Sequence, residues 1–130
     1  MDRYMIVIPA KNRAFNMKCD DGDSMKLETL QKLVGGPIEP VPALLSAELA
    51  REKDVDGILL LVNEEGLMKE RPLTNQRASE MTAAELVGPA VVAAKRGEEL
   101  IGFAKPVVDT ICAEWSEMLP SRQPEYESKA

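Results

Sequence analysis

Ile58-Leu59-Leu60-Leu61-Val62 is the most apolar run in the chain, five aliphatic residues bounded by Gly57 and Asn63. A half-exposed strand would alternate with polar residues, and a buried helix would run longer. The run therefore reads as the central, fully buried strand of a sheet. Asn63-Glu64-Glu65-Gly66 follows with the composition of a hairpin turn, Gly66 supplying a positive φ and Leu67-Met68 opening the return strand.

Outward from this run the chain offers further strands. Tyr4 to Ile8 reads as a strand stopped by Pro9, with Ala10-Lys11-Asn12 as a turn. Phe15, Met17 and Cys19 alternate with Asn16 and Lys18, the period-2 pattern of a half-buried strand, so the two form an opening hairpin. Ile38 to Val41 is a short strand that Pro40 confines to an edge. Val87 to Ala94 and Leu100 to Phe103, joined through Arg96-Gly97-Glu98-Glu99, make another hairpin.

Helical signals lie between them. Ser24 is placed as an N-cap, and Leu27, Leu30, Leu33 and Val34 recur at helical spacing up to Gly35-Gly36-Pro37, which ends the helix. Ala43 to Lys53 has helical composition, and Lys69 to Ala84 reads as a long polar loop. Pro106 opens a last helix whose apolar stripe is Val108, Ile111, Cys112, Trp115, Met118 and Leu119. The expectation is an α+β fold: a twisted, mainly antiparallel sheet of two or three hairpins, with a helix in the N-terminal half and a long C-terminal helix. The helices would pack on one face or at the ends. Residues 1–119 would be one domain and 120–130 a disordered polar tail.

Composition bounds the chemistry. A chain of 130 residues, 45% hydrophobic and 29% charged, has the size and balance of a single globular domain. The net charge of −6 argues against nucleic acid, whose binders place Lys and Arg on phosphates. No run approaches the ~20 apolar residues of a membrane span. Two cysteines far apart, Cys19 and Cys112, fit a reducing cytoplasm and exclude a zinc ribbon. Histidine is absent, which removes His-dependent triads, bases and metal sites. No cofactor or metal is expected, and the reading leans away from an enzyme.

Several motifs have a functional and a plain explanation. Asp20, Asp21 and Asp23 lack the spacing of a calcium loop and suit a helix start. Gly35-Gly36-Pro37 leaves a helix rather than entering one, so it is a cap and not a phosphate loop. Asn63, Glu64 and Glu65 place two carboxylates beside an amide, suited to a metal ion, to acid–base work or only to a solvated turn. Asn75, Gln76 and Arg77 join a guanidinium to two amides in the long loop, able to grip an anion or a peptide, or simply to stay solvated. Trp115 and Met118 on the last helix fit the core or, if exposed, a homo-oligomer contact.

Three segments carry a resemblance: Leu27-Glu28-Thr29-Leu30-Gln31-Lys32-Leu33-Val34-Gly35-Gly36 with Ile38-Glu39-Pro40-Val41, then Leu61-Val62-Asn63-Glu64-Glu65-Gly66, then Leu86-Val87-Gly88-Pro89-Ala90-Val91-Val92. The chain resembles, over roughly residues 1 to 103, a family of small domains of unknown function from phages, plasmids and integrative elements of Gram-positive bacteria. Asn75-Gln76-Arg77 looks like that family's Asn-Arg-Arg-type loop with Gln in the middle. The resemblance implies a mobile-element accessory protein and no particular reaction. The function expected is non-enzymatic counter-defence in the host cytoplasm, against CRISPR or a signalling defence, by binding a host defence protein or sequestering a small anionic, nucleotide-like ligand. The alternatives are a metal-dependent enzyme using Glu64 and Glu65, and an interaction module dimerising through the last helix.

Overall fold

Three strands, Arg3–Ile8, Gly57–Asn63 and Ala90–Arg96, are apolar at both odd and even positions through most of their length, and the sheet is covered on both faces. A computed structural model of the chain describes residues 2–11, 13–43, 55–66, 73–82 and 85–118, with the side chains of the last helix described as far as Ala113. The elements in order are β1 (Arg3–Ile8), β2 (Phe15–Lys18), α1 (Leu27–Val34), β3 (Ile38–Pro42), β4 (Gly57–Asn63), α2 (Gln76–Glu80), β5 (Ala90–Arg96), β6 (Glu99–Ile101), β7 (Phe103–Ala104) and α3 (Lys105–Met118).

The architecture is α+β, with an antiparallel sheet ordered β2-β1-β5-β4-β3; β6 joins β5 and β7 joins β1. The central strand is β5, not the Ile58–Val62 run, which lies one place from the edge in β4. Both are sealed by the helices because the covering is two-sided, whereas packing on one face or at the ends was expected. Ile6, Leu60 and Val92 point toward α2 and α3, and meet Ala78, Val108 and Ile111. Met5, Leu61 and Val91 point the other way and meet Leu30 and Val34 of α1. Alternate residues of a strand face opposite sides, so a continuous aliphatic run needs a layer on each.

Local chemistry sets the element ends. Gly35 takes φ 86° after α1, and the Gly35 and Gly36 amides donate to the Gln31 carbonyl, closing the helix as expected. The start of α1 differs from expectation. Lys26, not Ser24, is the N-cap residue, and the Asp20 carboxylate accepts from the Lys26 amide at 2.8 Å and the Thr29 hydroxyl at 2.5 Å. Ser24 instead donates to the Leu100 carbonyl at 2.5 Å. The β5–β6 hairpin turns at Gly97-Glu98, with positive φ at Gly97 alone, which suits a II′ turn.

The predicted strand from Leu100 to Phe103 is broken at Gly102. Ile101 pairs with Ala94 of β5, whereas Phe103 pairs with Tyr4 of β1. The segment thus enters the fork where β1 and β5 part and turns back at Gly102. A Cβ there would lie 2.7 Å from the Tyr4 backbone nitrogen and oxygen and from Cys19 Sγ, so only glycine fits the apex.

The two edges of the sheet differ. The Ala43 amide donates to Ile58 and the Glu64 amide to Pro37, so Pro37, Glu39, Val41 and Ala43 face β4. Ile38, Pro40 and Pro42 face outward, and the two prolines remove amide donors from that edge. The edge position expected for β3 is observed. The helix expected over Ala43 to Lys53 falls almost wholly outside the described residues, as do the return strand at Leu67-Met68 and the 120–130 tail.

Candidate functional site

The strand ends at one end of the sheet bring the two polar candidate segments together. Ile8, Asn63 and Ala90 lie at this end, since Ile8 pairs with Ala90, and Leu61, two residues before Asn63, pairs with Val91. The short segment Leu86–Gly88 links them. Thr74 bridges to Val87, the Asn75 amide donates to the Leu86 carbonyl, and the Gly88 amide donates to Leu73. On the other side Gly66 packs on the same residue; a Cβ at Gly66 would lie 2.8 Å from Val87 Cγ2. Gly66 has no positive φ, so its role is this close approach rather than the turn conformation expected of it.

Asn75 is fully buried, and its polar atoms are committed inside the protein. Its Nδ2 donates to the Ile8 carbonyl at 2.8 Å and the Gly88 carbonyl at 2.9 Å. Its Oδ1 accepts from the Ala78 amide at 3.2 Å, the N-cap bond of α2. The segment read as a loop therefore contains a helix, with Asn75 as its cap and Gln76 and Arg77 in its first turn. Ser79, which the sequence reading passed over, completes the hub. Its hydroxyl donates to the Asn75 carbonyl at 2.7 Å and accepts from the Leu86 amide at 2.8 Å. Asn75 ahead of Gln76-Arg77-Ala78-Ser79-Glu80 was the available signal, a capping residue before good helix formers.

Arg77 points back into the fold. Its Nη2 donates to the Pro9 carbonyl at 2.6 Å, and burial lowers its pKa to about 10, which leaves it protonated at neutral pH. Gln76 Nε2 reaches Glu80 at 3.3 Å. The Arg77 bond fastens α2 to the end of β1, and the Gln76 contact stays within the helix.

Asn63 is buried and forms a local turn, its Oδ1 accepting from the Glu65 amide at 2.8 Å. The Glu64 amide donates to Pro37 at 2.7 Å. Gly36 lies against Asn63, where a Cβ would come within 2.7 Å of Oδ1. The carboxylate-bearing residues Glu64 and Glu65 remain exposed. Among the described residues, no group of three or more Cys, Asp and Glu side chains is placed to hold a metal ion. The Cys19 and Cys112 thiols are both pushed up to about 11, mainly by burial, which opposes formation of the nucleophilic thiolate. The side chains of Trp115 and Met118 lie outside those described. Among the described residues, no helix is long and apolar enough to cross a membrane.

A family model described as Domain of unknown function (DUF3846) matches residues 3–116. No curated protein and no solved structure matches the chain.

Proposed function

The chain belongs to the DUF3846 family, and on that premise we propose that it is a non-enzymatic binding protein of a mobile genetic element that acts in the host cytoplasm on a host defence protein. The observation that carries this reading is the complete commitment of Asn75. The residue best suited to read a ligand is spent on Ile8, Gly88 and Ala78. Recognition then falls to the exterior. There Glu64 and Glu65 stand exposed on a turn whose backbone is fixed by Asn63 and Pro37. With a net charge of −6, such a surface suits a basic patch on a protein partner.

The test is capture from lysate of a Gram-positive host by the wild-type chain and by the double variant Glu64→Lys, Glu65→Lys. A host protein retained by the wild type and lost by the folded variant supports the reading. A thermal shift with cyclic or ADP-ribose-type nucleotides, weakened by Arg77→Ala, would move the function to a small anionic ligand. Metal-dependent turnover abolished by Glu64→Gln with Glu65→Gln would make the protein an enzyme.

A further inference from the structure

We infer that the β2 edge is a self-pairing surface, on which a second copy of the chain docks antiparallel about a two-fold axis at Met17. The Cys19 amide donates to the Arg3 carbonyl, and the β1–β2 register continues that pair in steps of two. Phe15 and Met17 therefore face β1, and the backbone amides and carbonyls of Asn16 and Lys18 face outward. Among the described residues no strand lies beyond β2.

The pairing is self-complementary. An axis at Met17 sets Asn16 of each copy opposite Lys18 of the other, a hydrogen-bonded pair made twice. Asn16 and Lys18 lie on the α3 face, opposite Ile6 and Tyr4. There Asn16 Nδ2 holds Asp109 of α3 at 2.8 Å. The incoming Lys18 arrives beside that carboxylate, so unlike charges meet at both ends of the junction. Among the described residues Lys18 pairs with Asp2 at 3.4 Å, with both side chains exposed. On the opposite face Phe15, 46% exposed, would lie diagonal to the partner's copy of residue 17 and withdraw apolar surface from water.

The other edge explains why the pairing would stop at two. Pro40 and Pro42 withhold two of the three outward donors of β3 and leave that of Ile38 alone, so among the described residues the far edge of a dimer joined at β2 is poorly suited to further pairing, and the dimer closes rather than growing into a fibre.

The test is the molar mass of the full chain by light scattering across a concentration series, together with Lys18→Pro. That substitution removes an outward amide without touching a bond to β1, and so places on β2 the device that β3 already carries. The wild type is expected as a dimer, weakened about tenfold or more by Lys18→Pro at unchanged circular dichroism. Asp109→Lys, which leaves the backbone edge intact, is expected to weaken it too. A wild-type monomer at the highest concentration would overturn the inference, as would a dimer indifferent to both substitutions.

Discussion

Asn75 is tied to Ile8 across 67 residues of chain by a 2.8 Å hydrogen bond from its Nδ2 to the Ile8 carbonyl. That bond closes α2 onto the end of β1, and the second Nδ2 hydrogen fixes the entry to β5 at Gly88. A polar side chain at the buried junction of three elements is a fastening, because each of its groups has a partner that water cannot replace.

Asn75→Ala removes a cap and leaves the buried Ile8 carbonyl and the half-buried Gly88 carbonyl without this donor. It is expected to destabilise the protein on the order of 3 kcal/mol, read as a lower urea midpoint. Asn75→Asp keeps the acceptor but turns a carboxylate toward those carbonyls, and is expected to be no milder. A residue whose task was to bind a ligand would give little change in midpoint.

Gly102→Ala forces a methyl group to within 2.7 Å of the Tyr4 backbone, which belongs to a packed strand and cannot yield as a flexible side chain would. A loss of about 2 kcal/mol or more is expected. Gly57→Ala is the control: its Cβ would meet nothing within 4 Å and its φ is not positive, so the thermal midpoint should stay close to wild type.

Asp20 accepts from the Thr29 hydroxyl and the Lys26 amide, and these bonds hold its carboxyl below the usual 3.8. A carboxyl lowered in the folded state contributes stability above the unfolded value, lost as pH falls through the folded one. Stability measured by denaturant from pH 5 downward should fall less steeply below about pH 4 in Asp20→Asn than in wild type. Identical slopes would show that this carboxylate does not anchor α1.

Cys19 and Cys112 should resist a thiol reagent at neutral pH, since burial raises both to about 11. Because the folded values exceed those of an unfolded thiol, the stabilising contribution is present below about pH 9 and is lost as pH rises toward 11. Cys19→Ala should flatten that alkaline decline. Rapid labelling of both thiols in the native protein at pH 7 would contradict it.

The strands were largely legible in the sequence, because period-2 alternation in Phe15–Cys19 and aliphatic runs such as Ile58–Val62 depend on local pattern alone. The rank of β4 was not legible: burial on two faces is common to any interior strand, and only pairing shows that β5 is central. Gly102 read as an ordinary strand residue because the reversal there depends on the fork between β1 and β5, two segments distant in sequence. Asn63, Glu64, Glu65, Asn75, Gln76 and Arg77 were singled out for their polarity. Polarity alone does not separate an amide buried as a fastening, like Asn75, from a carboxylate left in water, like Glu64. The capping role of Asp20 was hidden by the five residues between it and Lys26.

The most direct measurement is the dissociation constant for the host protein captured by the wild-type chain, compared with that of the Glu64→Lys, Glu65→Lys variant at two salt concentrations. The account predicts an unchanged melting temperature, binding weakened at least about tenfold by the reversal, and a wild-type affinity that falls as salt rises. Equal affinity of the two proteins at both salt concentrations would contradict it.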